Sequence, residues 1–124
     1  KDAAAPKQHP NTQILARLTH LYRVSTALVT PDPAASQETN AAASKLSNFY
    51  INHLRSAAKK NVLRLHSEVK RTICKRCEAL LIPGVSCTER IENQSKGGKK
   101  RWADVLVIEC TRCGTAKRFP VGMD

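Results

Sequence analysis

Cys74-Lys75-Arg76-Cys77 and Cys110-Thr111-Arg112-Cys113-Gly114 decide how this chain is read. Each segment carries two cysteines separated by two residues. Two thiolates at that spacing converge on one ion if the backbone turns tightly between them, and a zinc ion takes four such ligands at about 2.3 Å in a tetrahedron. Each pair therefore supplies half of a site. Gly114 directly after Cys113 suits a knuckle that needs a positive φ past its second ligand. Glu78 follows Cys77 instead, so the first knuckle is expected to turn differently. The segment between the pairs, Glu78–Glu109, is longer than the roughly 15–20 residues of the shorter zinc motifs. It leaves room for a β-hairpin, the plan of a zinc ribbon. The expected ligands are Cys74, Cys77, Cys110 and Cys113 around one structural zinc. Four protein ligands leave no open position for water, so the metal is not expected to catalyse. Cys87 stands alone and reads as a small buried hydrophobe in the hairpin.

The cysteines number five, and an odd count argues against a closed disulfide framework. A redox reading of one C-x-x-C needs a thioredoxin-like βαβ context, which two matched pairs do not suggest. The chain has 124 residues, 41% hydrophobic and 4% aromatic, enough for an aliphatic core and too much for a disordered chain. No apolar run approaches the roughly 20 residues that span a bilayer. The stretch beginning at Lys1 shows no secretory-signal pattern.

Ahead of the cysteines the pattern is helical. Lys1–Pro10 reads as a flexible arm. Asn11 or Thr12 caps a first helix over Thr12–Val29, with Ile14, Leu18, Leu21 and Leu28 on one stripe and Leu15, Tyr22 and Val29 beside it. Thr30-Pro31-Asp32-Pro33 ends it. Ser36 caps a second helix over Gln37–His66, whose pattern runs Leu46, Phe49, Tyr50, His53, Leu54, Ala57, Asn61, Leu65. His53 on that stripe reads as a core histidine. The two helices form an antiparallel pair whose remaining apolar surface must meet the ribbon or another protein. Beyond Glu68, short strands are expected at Val69–Ile73, Ala79–Ile82, Val85–Ile91, Trp102–Glu109 and Thr115–Pro120. Asn93–Arg101 forms the hairpin tip, and Trp102 lies in a strand and in the core. The fold class is α+β: a helical hairpin over 11–68 followed by a four-cysteine zinc ribbon of short antiparallel strands over 69–124.

The formal charge is +11, a field that attracts polyanions. With Trp102 outside any amphipathic helix, a membrane surface is disfavoured against nucleic acid. The cations cluster: Arg55, Lys59, Lys60, Arg64, Lys70, Arg71, Lys75 and Arg76 face only Glu68 and Glu78 in the same stretch. Arg55 and Lys59 are placed on the outer side of the second helix. Lys70, Arg71, Lys75, Arg76, Lys117 and Arg118 sit in or beside the knuckles, where a rigid platform can hold phosphates in register. There is no phosphate-binding G-x-x-x-x-G-K loop, no H-E-x-x-H, and no nucleophile paired with a base. No catalytic residue is expected, and cysteines kept free fit a reducing cytosol or nucleus.

The block KRTICKRC over 70–77, the block CTRCGTAKRF over 110–119 and the helical pair before them resemble one family, the small zinc-ribbon protein subunit of nuclear and archaeal ribonuclease P. The likeness covers the chain from the first helix onward. The basic Gly97–Arg101 stretch departs from the family pattern. Membership implies a non-catalytic, RNA-binding and scaffolding subunit of a ribonucleoprotein of the nucleus or nucleolus. Its RNA subunit, with magnesium, removes the 5′ leader of precursor tRNA. It also implies that the helical pair docks on a β-barrel protein subunit and that the basic ribbon approaches the catalytic RNA and precursor tRNA. Three other readings stay open. One is a subunit of the related ribonuclease that processes ribosomal RNA precursors. The others are a free-standing zinc-ribbon transcription or translation factor and a protein adaptor.

Overall fold

The computed structural model describes residues 10–121. The arm expected over 1–10 therefore lies, but for Pro10, outside the described residues. Helix α1 spans Thr12–Val29 and α2 spans Gln37–Lys60. A short helix α3 covers Ser67–Arg71. A three-stranded sheet follows in the order β1 (Cys87–Asn93), β2 (Asp104–Cys110), β3 (Ala116–Pro120), with both pairings antiparallel. This is the α+β architecture that the sequence implies.

The helices pack antiparallel: Leu18 of α1 meets Leu54 and Ala58 of α2, while Val29 at the other end meets Ile51. Between these layers the hydroxyl of buried Ser47 donates to the Ser25 carbonyl at 2.9 Å, and small residues there let the backbones approach. Ser36 caps α2, its Oγ accepting from the Thr39 N–H at 3.2 Å, with Glu38 in the first turn and Lys59 and Lys60 in the last. The connection is pinned by Asn40, which accepts from the Asp32 N–H and donates to the Asp32 carbonyl.

Four expectations are corrected. First, α2 stops at Lys60 rather than His66. Leu63 donates its N–H to Ala58 O at 2.9 Å across Asn61 and Val62, a Schellman closure, and Leu63 and Leu65 fold back onto the Leu54–Ala58 cluster. Second, the strand expected at Val69–Ile73 is mostly helix. Val69 and Ile73 are four apart and pack together with Val29, Ile51 and Leu80, which a helical turn allows and alternation would not. Third, the buried stripe of α2 is Ser47, Ile51, Leu54 and Ala58, so Leu46, Phe49 and His53 face outward. His53 packs on Phe49 with centroids 4.6 Å apart and is no core histidine. Fourth, Trp102 belongs to a 3-10 turn, Arg101–Ala103, and is 68% exposed. The strand it is expected to open begins at Asp104.

Val62 occupies the left-handed position of the Schellman closure with φ 54° and is exposed. A β-branched residue is poorly suited to that region, where glycine is favoured. Val62→Gly should stabilise the chain by about 0.5–1 kcal/mol net of glycine's extra chain entropy, read as a melting temperature a few degrees higher. An unchanged or lower melting temperature would show that the closure carries no strain.

Candidate metal centre and basic face

The two knuckles are built alike. Cys74 donates its N–H to Ala79 O at 2.9 Å, and Cys110 donates its N–H to Thr115 O at 3.0 Å, the same five-residue closure. Gly114 takes φ 71° and Glu78 takes φ 58° at the equivalent place. The first knuckle thus turns as the second does, against the expectation. Glu78 is held in that conformation from α2. Arg55 Nη1 donates to its Oε1 at 2.5 Å and Asn52 Nδ2 to its Oε2 at 2.7 Å. A carboxylate bridged to two α2 side chains compensates for a backbone that glycine would adopt freely.

The turns bring Cys74, Cys77, Cys110 and Cys113 together, each Sγ within 4.8 Å of the others. Cys74 and Cys113 sulfurs are 3.5 Å apart, and those of Cys77 and Cys110 3.7 Å. An ion with bonds of about 2.3 Å to a regular tetrahedron of sulfurs needs edges of about 3.8 Å. The cluster therefore fits one tetrahedrally bound metal ion. Cys87 is opposite Cys110 in the β1–β2 ladder and buried, and it stands outside the four-sulfur group. It packs with Ala79 and Leu81 as the small hydrophobe expected.

The thiols are unequal. Burial pushes Cys77 up to about 12, although the Ala79 backbone pulls against it. The Thr115 hydroxyl, 3.2 Å away, and the Thr115 backbone hold Cys113 down at about 6. Thr115, which the sequence reading passed over, thus donates to the Cys113 thiolate and orients one sulfur, as outer partners of metal ligands do.

The cations divide in a way that spacing could not foresee. Lys70, Arg71, Lys75, Arg76, Lys59 and Arg118 are exposed. Arg71 lies over the Phe119 ring, 5.1 Å from its centroid. A groove of about 300 Å³ between α3 and β3 is lined by Lys70, Arg71, Lys75, Arg118 and Phe119 among others. A larger cavity of about 540 Å³ adjoins it, with an apolar floor that includes Leu63, Leu65 and Ile73 and a rim of Arg55, Lys59, Arg64, Lys70 and Lys75. Lys70 and Lys75 border both, so the basic face is continuous.

Two expected phosphate contacts are corrected. Lys117 is 7% exposed, and its Nζ donates to the carbonyls of Lys70 (2.9 Å), Arg71 (3.2 Å) and Ile73. It closes the C-terminal end of α3, where free carbonyls favour a cation. Burial lowers its pKa, partly opposed by the nearby Cys74. Arg55 is not on the outer side of α2: it points at the first knuckle and is ion-paired with Glu78.

Residues 17–114 match the family described as the RNAse P Rpr2/Rpp21/SNM1 subunit domain. The chain is 36% identical over 104 residues to the ribonuclease P protein subunit rpr2 of Schizosaccharomyces pombe, covering 84% of this chain and 87% of that protein. It is 37% identical over 103 residues to the human ribonuclease P protein subunit p21, covering 83% of this chain and 58% of that longer protein. In fold it is similar to a chain of archaeal ribonuclease P solved with mature tRNA, at a TM-score of 0.69 and 22% identity over 96% of this chain and 85% of that one. It is also similar to Pfu Rpp21, at a TM-score of 0.56 and 23% identity over 86% of this chain and 97% of that one.

Metal uptake should be proton-coupled. Above about pH 6 Cys113 is already a thiolate, but Cys77 must lose its proton to bind. Affinity should therefore rise by at least tenfold per pH unit between 6 and 8, and fall more steeply below 6 as Cys113 also protonates. Chelator competition at pH 5.5, 6, 7 and 8 reads this directly, and a flat profile would contradict it. Cys87→Ala should leave one ion bound per chain, while Cys74→Ser or Cys110→Ser should abolish tight binding.

Proposed function

The chain belongs to the Rpr2/Rpp21/SNM1 family of ribonuclease P subunits, and from that premise we propose that it is a non-catalytic, RNA-binding and scaffolding subunit of the tRNA-processing particle. The particle removes the 5′ leader of precursor tRNA through its RNA subunit and magnesium. This chain contributes positioning rather than chemistry. Relatives matched over more than four-fifths of this chain are named as ribonuclease P subunits, which favours this particle over the ribosomal-RNA ribonuclease.

Zinc is the ion best suited to Cys74, Cys77, Cys110 and Cys113, because an all-thiolate tetrahedron is a closed structural zinc site. When bound, the ion fixes the two knuckles relative to each other and leaves no position for a substrate water. The single observation that carries the RNA reading is the continuous basic face around those knuckles. Lys70, Arg71, Lys75 and Arg118, with Lys59 at the border, are its phosphate contacts, and Arg76, exposed in the first knuckle, adds to their charge. Most are mounted on short, clamped elements, so little backbone freedom remains to be lost when RNA binds. The archaeal particle that holds a chain of this fold was solved with mature tRNA, which supports placing tRNA as well as the catalytic RNA within reach.

The helical hairpin supplies the scaffold contact. Leu15, Leu46 and Phe49 are exposed apolar side chains on α1 and α2 that the ribbon does not cover. They suit another protein subunit, the β-barrel subunit being the expected one. Among the described residues no helix is long and apolar enough to cross a membrane. The nucleus, including the nucleolus, is the compartment this role implies.

Affinity capture of the tagged chain followed by RNA sequencing should recover one abundant structured RNA and leader-removal activity. Recovery of polymerase or ribosome instead would overturn the reading. Within the face, replacing Lys70, Arg71 and Arg118 together should flatten the salt dependence of RNA binding by roughly one unit of log–log slope per lost contact. Lys117→Met should leave that slope unchanged and cost about 1–3 kcal/mol of stability, because the Arg71 and Ile73 carbonyls lose the ammonium donor and the Lys70 carbonyl keeps only a long backbone N–H contact.

A further inference from the structure

The end of the β1–β2 hairpin carries Lys96, Lys99, Lys100 and Arg101 beside an exposed indole, and no acidic residue occurs from Asn93 through Ala103. Trp102 is the chain's only tryptophan and is 68% exposed. An exposed indole presents a large, rigid aromatic face with a polar N–H at its edge, the kind of surface enriched where proteins meet partners. The tip around it is closely hydrogen-bonded. Asn93 Nδ2 donates to Lys100 O at 2.7 Å and to Asp104 Oδ1 at 2.6 Å, and the Asn93 Oδ1 accepts from the Ser95 N–H at 2.9 Å. Ala103 donates its N–H to Lys100 O at 3.0 Å, closing the turn that presents Trp102. Gly97 and Gly98, at φ 76° and 64°, let the chain reverse between the lysines. Lys100 Nζ stands 5.9 Å from the indole centroid.

The neighbouring acids are already engaged: Asp104 accepts from Asn93, and Glu92 accepts from Arg90 at 2.6 Å. The tip therefore offers an exposed indole, approached over one face by the Lys100 ammonium and open on the other, inside a cationic fringe. Acidic protein surfaces would satisfy the charge alone. Nucleic acid satisfies both features at once, with phosphates for the lysines and a base for the indole. The tip is also continuous with the face described above. A cavity of about 400 Å³ beneath it is lined by Glu92, Ser95, Ala103 and Arg118, and Arg118 borders the α3–β3 groove as well.

We infer that the β1–β2 hairpin tip is a second RNA contact, in which Trp102 stacks on an unpaired nucleobase while Lys96, Lys99, Lys100 and Arg101 hold the flanking phosphates. The inference rests on the RNA-binding reading of the knuckle face and adds a base-stacking element to it. Phosphate contacts alone do not distinguish paired from unpaired RNA, whereas a stacked indole does.

Because the chain has one tryptophan, its fluorescence reports the site directly. The full chain, loaded with zinc, is titrated with two fluorescein-labelled RNAs of equal length, a stem capped by an eight-nucleotide unpaired loop and a blunt duplex without one. Anisotropy reads binding, and acrylamide quenching reads indole exposure. The looped RNA should shield Trp102 from acrylamide, and the duplex should bind without shielding it. Trp102→Ala should weaken the looped RNA by roughly tenfold and the duplex by less than twofold, and Trp102→Phe should restore most of the difference. Because the side chain is exposed, circular dichroism of both variants should match the parent. Binding of looped RNA with the indole still open to acrylamide, or with Trp102→Ala unimpaired, would overturn the inference and leave the knuckle face standing. Shielding seen only when protein subunits are added would overturn it in favour of a protein contact. Failure of both RNAs to bind would sink the RNA-binding reading itself, and this inference with it.

Discussion

Four sulfurs meeting within 4.8 Å are the constraint on which the C-terminal half depends. Three short strands and two turns bury little apolar surface, and the core cluster beneath them consists of Cys74, Cys110, Cys87, Ala79 and Leu81, with Cys77 and Cys113 at its margin. Side chains this small cannot supply the burial that larger domains draw on. Burial also opposes thiolate formation, as the high pKa of Cys77 shows. A bound ion reverses that opposition, since it stabilises the thiolates and joins two segments far apart in sequence. With an ion bound there, one coordination sphere would order the knuckles, the sheet and the basic residues mounted on them.

That ordering is carried to the helical hairpin by a small set of polar and apolar links. Glu78, just past the first knuckle, reaches Asn52 and Arg55 of α2. Tyr22 of α1 donates its hydroxyl to Thr72 Oγ1 at 3.1 Å, since the Thr72 proton is directed to Val69 O at 2.8 Å. Ile51 packs with Ile73 and Leu80, which form a bridge across the first knuckle. Lys117 joins β3 to the end of α3. The helices and ribbon are thus one packed unit, and the groove and cavity that carry the cations lie along their junction. A face built at such a junction holds its charges at fixed spacing, which suits a rigid folded polynucleotide better than scattered surface lysines would.

The same chemistry therefore serves two ends in neighbouring residues. Lys75 and Lys117 are both lysines beside a cysteine knuckle. One is exposed and available to an anion, whereas the other is buried and consumed by three carbonyls. Charge count sets the strength of the field around the molecule, but which members of the set can reach a phosphate depends on where the backbone leaves unpaired acceptors.

The cysteine spacing, the two proline-punctuated helical periodicities and the clustered charge were enough to read the helical hairpin, the ribbon and the four converging thiols. All three are local signals whose physical meaning survives in any compact fold. The span of α1 and the capping role of Ser36 were legible for the same reason. What lay beyond sequence was settled by packing. Val69 and Ile73 suit a strand by composition and a helix by spacing, and the apolar site formed by Val29, Ile51 and Leu80 chose the helix. Glu78 takes a glycine-like φ because side chains from another element hold it there. Trp102 lies outside the core because the tip's own hydrogen bonds turn the chain before β2 begins. For Val69–Ile73 and Glu78 a contact between residues distant in sequence outweighed a local preference of about a kilocalorie per mole or less, and such contacts exist only once the chain has folded; at Trp102 side-chain and backbone hydrogen bonds within the tip decided the turn.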